Sequence, residues 1–191
     1  MGRSSHEQAL QNRSKIVERA SKLFRRSGVE DVSVAEVMTA TGMTAGGFYK
    51  HFASKDALVQ EACLLSFEQA SNFWATISDK NEEPDASVSS IVRQYFTKRS
   101  RDEACPILAF AAHVASATSG PLARTAYRNG TKKLFTQFVR RKSKKREQEA
   151  KVMFAAMIGG GFLAHALGDD KWVRDVQKAV EVYATDIDVS N

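Results

Sequence analysis

The chain is expected to be all-α, and three observations carry that expectation. Apolar residues recur every three or four positions along most of the 191 residues, the period of a helix with one buried face. No stretch shows the two-residue alternation of a half-buried strand. Only three prolines occur, and two of them, Pro106 and Pro121, stand where a helical pattern begins, a position at which a missing N–H does no harm. With 43% hydrophobic and 26% charged residues, the chain can bury a real core in one or two domains and is too apolar for a disordered segment. Two cysteines exclude a disulfide scaffold and point to a reducing, cytoplasmic setting. No apolar run approaches the ~20 residues of a membrane span, and Met1 to Lys15 lacks a signal-peptide stretch, so neither a membrane partner nor export is expected.

In chain order, Ile16, Val17, Ala20, Leu23 and Phe24 share one face of a first helix over about 8–26. The basic pair Arg25 and Arg26 followed by Gly28 marks its end. Ser33-Val34-Ala35-Glu36 is a capping box, and it opens a second helix that runs no further than Thr41 before Gly42. A third short helix spans Thr44 to Phe52, and Ser54 opens a long fourth through Leu58, Ala62, Leu65 and Phe73. The segment Asn81-Glu82-Glu83-Pro84-Asp85 interrupts the periodicity as a linker. Further helices are expected at about 86–100, 105–118, 121–141, 147–167 and 171–188, the last with Val173, Val176, Val180, Tyr183 and Ile187 on one stripe.

The net charge of +6 and pI near 9.4 suit a polyanionic partner. The distribution weakens that argument, because residues 131–151 alone contribute +7. Six of the seven residues from Arg140 to Arg146 are basic, and a charge run between two helices reads as a solvated loop.

The second and third helices, joined by a tight glycine turn, form a helix-turn-helix whose second member lies in the DNA major groove. The composition of Thr44-Ala45-Gly46-Gly47-Phe48-Tyr49-Lys50-His51-Phe52 sharpens the reading. Two glycines inside so short a helix cost roughly 1 kcal/mol each relative to alanine, which makes sense where backbone must approach another surface closely. Phe48 and Phe52 fall on the inner side, leaving Tyr49, Lys50 and His51 outward, and all three can donate to phosphate oxygens. Lys55, at the start of the next helix, adds a fourth donor beside a helix N-terminus.

From about Ser14 to Cys63 the sequence resembles the DNA-binding domain of TetR-family transcriptional regulators. The resemblance rests on Ala20, Leu23 and Phe24, on Gly28, Val32-Ser33-Val34 and Val37, and on Thr41-Gly42-Met43. It continues through Gly47-Phe48-Tyr49-Lys50-His51-Phe52 and Lys55-Asp56-Ala57-Leu58. The resemblance implies nine helices, divided into a DNA-binding domain at 8–56 and a ligand-binding and dimerisation domain at 57–191. It also implies a homodimer through the last two helices. By that resemblance, phosphate contacts fall to Ser33, Thr44, Tyr49, His51 and Lys55, and base-edge contacts to Ala45, Gly46 and Lys50, with Gly47 beside them. Ala35 stands where some members carry a guanine-reading basic residue. Lys50 is therefore the expected base reader, with Ala45 against a thymine methyl.

The body says less. Tyr95, Phe96, Phe110, His113, Met153 and Met157, with Trp74 and Phe154, are candidates to line an effector cavity, although aromatic residues and methionines at helical spacing also read as plain core. Phe162 and His165, with Val176, Val180 and Tyr183, are the expected dimer contacts. Gly159-Gly160-Gly161 formally fits a dinucleotide fingerprint, but no strand precedes it; these small residues are expected to allow close packing across the dimer. Cys105 precedes Pro106 and so occupies a helix N-cap, where the dipole favours a thiolate. Arg99 and Arg101 favour that charge and Asp102 and Glu103 oppose it. Some TetR-family members look similar at this point and respond to electrophiles, which marks Cys105 as a candidate sensor.

An enzyme fits poorly. No histidine has a glutamate three residues before it, as a di-iron bundle requires. There is no Cys-x-x-Cys, Gly-x-Ser-x-Gly or P-loop. No cofactor and no metal are expected. The reading is a dimeric regulator, a repressor that leaves double-stranded operator DNA when a small-molecule effector fills its body; an architectural DNA binder without effector is the rival.

Overall fold

The computed structural model describes residues 2–79, 86–97, 100–139 and 147–189, and among these there is helix and no strand. In chain order the elements are α1 (Gly2–Ser27), α2 (Val34–Ala40), the 3-10 helix η1 (Ala45–Lys50) and α3 (Lys55–Asp79). They continue with α4 (Ala86–Phe96), the 3-10 turn η2 (Arg101–Glu103), α5 (Pro106–Ala115), α6 (Pro121–Val139), α7 (Glu147–Leu167) and α8 (Lys171–Val189). The expected linker at 81–85 and the basic run at 140–146 lie outside the described residues, as does Arg99. The chain forms two compact units: Met1–Glu68 with Arg99–Thr131, and Gln69–Lys98 with Lys132–Asn191.

In the first unit, α1 buries Ile16, Val17, Ala20 and Phe24 and stops at Gly28, whose φ of +86° is one that only glycine adopts freely. Phe24 meets Phe110 of α5 edge to face, with ring centroids 6.3 Å apart. The basic pair that ends α1 has a second role that spacing did not reveal. Arg26 grips Asp102 of η2 through Nε (2.6 Å) and Nη2 (2.9 Å). Buried Arg25 is lowered by desolvation, which Glu103 and Asp102 offset. Deeper in the unit, Phe67 of α3 packs edge-on against Tyr127 of α6, whose hydroxyl donates to the Ile107 carbonyl at 2.9 Å. Phe67 also lies across Gly130, where any Cβ would run into its ring.

Three carboxylates of this unit are held below their ordinary range. The Arg26 hydrogen bond lowers Asp102, the His113 hydrogen bond lowers Glu30, and the Ser33 backbone N–H lowers Glu36. Groups depressed in the folded state stabilise it above the ordinary carboxylate range and lose that contribution as pH falls through their folded values. The melting temperature should therefore drop as pH is lowered from about 5 to about 3, and a thermal melt that is flat or rising over that interval would contradict these pairings.

In the second unit, Trp74 packs on Phe138, and Phe154 meets Phe135 and Phe138 edge-on at 5.3 and 5.5 Å. Met153 and Met157 are buried, as are Val88, Ile91 and Val92 of α4. Two of the α7 glycines take up this chain's own aromatics. A Cβ at Gly161 would stand 2.5 Å from the Tyr95 ring, and one at Gly160 would stand 3.0 Å from Phe96; only Gly159 meets open space. Helix α8 packs on both α4 and α7. Of the described helices, α7 is long and apolar enough to cross a bilayer by length and composition, although only 22% of its apolar window is buried within the chain.

Candidate nucleic-acid interface

The reading surface begins with a well-made cap. The Ser33 hydroxyl oxygen accepts from Glu36 N at 3.1 Å, and Ser33 N donates to Glu36 Oε2 at 2.6 Å, the reciprocal capping box that the sequence implies. Helix α2 is anchored by buried Val37 and Met38 and ends at Thr41, and Gly42 then turns the chain with φ +74°. The expected third helix is present, but as six residues of 3-10 helix. Three features account for the tighter form. It is very short, it holds Gly46 and Gly47, and the Thr44 side chain makes no capping bond.

Tertiary contacts fix this weak element. Phe48 is fully buried and stacks on Phe52 at 5.6 Å. That pins the inner side, so Ser33, Thr44, Ala45, Gly46, Tyr49 and Lys50 all stand exposed, with Gly47, His51 and Lys55 half-buried. Tyr49 is 75% exposed, and nothing lies within 4 Å of a Cβ built on Gly46. Helix α3 starts at Lys55, capped by Ser54, whose hydroxyl accepts from Ala57 N at 3.1 Å.

Sequence reasoning missed a residue at the rear of this surface. The Arg13 guanidinium donates to the His51 carbonyl, pairs with Glu61 of α3, and lies 4.1 Å over the Phe52 ring. Its signal was available. Arg13 stands four, seven and eleven residues before Val17, Ala20 and Phe24, so a cation occupies the buried stripe of α1.

Residues 16–62 match the profile described as bacterial regulatory proteins, tetR family. Over these residues the chain is similar to the tetR family. Over 85 residues it is 34% identical to the HTH-type transcriptional regulator TtgR of Pseudomonas putida, a stretch spanning 44% of this chain and 40% of TtgR. Over 66 residues it is 36% identical to AcrR of Shigella flexneri, spanning 35% and 31% of the two chains. The matched stretch thus spans well under half the length of these relatives. Among solved structures, the tetR-family regulator of Cytophaga hutchinsonii superposes with a TM-score of 0.81 at 14% identity over 96% of this chain and 98% of that one. The tetR-family regulator of Chloroflexus aurantiacus gives 0.78 at 21% identity, over 94% and 96%. The shared fold therefore extends over nearly the whole chain, while the family likeness in sequence is confined to residues 16–62.

The six candidate cavity residues divide between the two units. Phe110 and His113 belong to the first unit. There Phe110 packs on Phe24. His113 donates from Nδ1 to Glu30 Oε1 at 2.7 Å, and its Nε2 lies 3.8 Å from Asp56 Oδ1. Asp56 also accepts from Gly120 N at 3.0 Å. Tyr95, Phe96, Met153 and Met157 belong to the second unit, the first two seated on the α7 glycines. The candidate dimer residues divide as well. Phe162, His165 and Tyr183 are exposed, whereas half-buried Val176 and Val180 share a helical stripe with Val173 (1% exposed) and Ala184 (0%). Exposed Leu167, Trp172 and Val182, which the sequence did not single out, join Phe162 and Tyr183. Cys105 is half-buried at the N-cap of α5, within electrostatic reach of Arg25, whereas burial pushes the Cys63 thiol up to about 12.

Proposed function

We propose that this chain is a DNA-binding transcriptional regulator that acts as a homodimer in the cytoplasm, repressing from an operator until a small-molecule effector releases it. One observation carries the reading: an exposed row of Ser33, Thr44, Ala45, Gly46, Tyr49 and Lys50 spans the capped start of α2 and the short η1, which buried Phe48 and Phe52 anchor. In this reading residues 8–56 meet DNA, and 57–191 bind effector and partner. The Ser33 hydroxyl accepts its capping bond and keeps its own hydrogen for a phosphate oxygen. Thr44, Tyr49, His51 and Lys55 serve as further phosphate donors, and Lys50 reads a base edge beside Ala45, Gly46 and Gly47. The second-unit aromatics and methionines, Tyr95, Phe96, Met153 and Met157, are the favoured effector contacts. Phe110 and His113 are candidate effector contacts too, and His113 reaches Glu30 and Asp56, which flank the reading surface in sequence. Cys105 is the thiol assigned to electrophile sensing, because Cys63 stays protonated at neutral pH.

The test is selection of bound duplexes from a random-sequence DNA pool, followed by titration of the winner. Tyr49→Phe should weaken binding to every sequence alike and leave the salt-dependence slope unchanged, because the phosphate donor it removes is uncharged. Lys50→Ala should cost about 1–3 kcal/mol on the selected duplex and much less on scrambled DNA. Failure of the wild-type protein to enrich any sequence would remove the reading.

A further inference from the structure

Arg13 is the only point at which one planar cation meets three parts of the reading domain among the contacts described above. Each contact answers a separate physical need. The His51 carbonyl lies at the exit of η1, where a helix leaves acceptors unsatisfied and carries partial negative charge; the Arg13 guanidinium donates to it. The Phe52 ring, whose neighbour Phe48 anchors η1 in the core, lies face-on beneath the same guanidinium at 4.1 Å. Glu61 on α3 supplies the counter-charge. The donor is 38 residues from its acceptor, so the bond fixes tertiary geometry and is not a local turn. A six-residue 3-10 helix with two glycines has little intrinsic rigidity, so its register depends on such contacts.

From this we infer that Arg13 is a positioning residue for DNA reading: it clamps the exit of η1 so that Tyr49, Lys50 and His51 are presented to the groove in one register. Only a guanidinium suits the place. It must donate in two directions within one plane while lying flat on a ring, which an ammonium cannot do. The inference rests on the reading that η1 meets DNA, and its test separates the two.

Arg13→Met keeps the aliphatic stem and removes the fork, and Arg13→Lys keeps the charge alone. Both full-length variants are titrated by fluorescence anisotropy against the duplex selected by the wild type and against a scrambled duplex of equal length. Loss of folded protein lowers binding to both duplexes by one factor, whereas a displaced reading helix lowers the selected one preferentially. The ratio of the two affinities is expected to fall at least tenfold in both variants. A ratio within twofold of wild type in either variant overturns the clamp. In parallel, amide hydrogen exchange across residues 45–52 is compared with that of α2. Arg13→Met should accelerate the former at least fivefold and leave the latter within twofold. Equal exchange overturns the inference whatever the DNA result. Selective acceleration in a protein that selects no duplex keeps the clamp and refutes the DNA reading.

Discussion

Phe110→Ala is expected to cost about 3–5 kcal/mol of unfolding free energy, the usual range for deleting a buried phenylalanine without collapse of the site. Phe110 is 0% exposed, and its ring meets Phe24 edge-on, so the substitution removes both transfer energy and an aromatic contact. For a chain of this length, the loss should lower the thermal midpoint by roughly 10 °C. The result also discriminates between two roles. A residue that lines an effector cavity would leave the melt nearly unchanged and shift the effector response. A core residue bridging α1 and α5 does the reverse. A midpoint within about 2 °C of wild type, which is under 1 kcal/mol at this size, would return Phe110 to the cavity wall.

If the proposed homodimer uses this surface, the double substitution Phe162→Asp with Tyr183→Asp should leave a monomer without unfolding the protomer. These side chains are 56% and 50% exposed in the isolated chain. Aspartate there meets water until a partner arrives, and the cost then appears at the interface. Covering two such aromatics is worth about 3–6 kcal/mol, so their loss should weaken association by roughly a hundredfold or more. Sedimentation velocity across a concentration series reads that change, and far-UV melts confirm that the monomer is intact. Val176→Asp provides the contrast. Val176 lies on the stripe that Val173 and Ala184 bury, so a carboxylate there should destabilise the second unit itself. If the double variant remains fully dimeric, the open face of α7 and α8 has another use.

The reading surface was legible because its determinants are local. The capping box at Ser33 and Glu36, the positive-φ glycines at 28 and 42, and the inward spacing of Phe48 and Phe52 each act within a few residues. Residue type and spacing therefore suffice to place them. The form of η1 was less legible, since α and 3-10 helix differ little in their sequence demands over six residues. The body was harder still. The stripe through Val173, Val176 and Val180 announces an apolar face correctly, yet periodicity does not say whether the cover is the same chain or another. Here α4 and α7 of the same chain pack against α8, and Phe162, Leu167, Trp172, Val182 and Tyr183 stay exposed.

By itself, then, the sequence determined the helical class, the order of the helices and the outward row of Ser33, Thr44, Ala45, Gly46, Tyr49 and Lys50, because periodicity, caps and turns are short-range. Only the tertiary structure decided which distant partners those helices use. Arg13 finds the carbonyl of His51, Arg26 finds Asp102, His113 finds Glu30, and the glycines of α7 receive Tyr95 and Phe96. Each of these pairs joins groups separated by tens of residues. Many side chains elsewhere in the chain offer the same donor, charge or ring, so residue type alone does not name the partner, and the packing of helices around a shared core does.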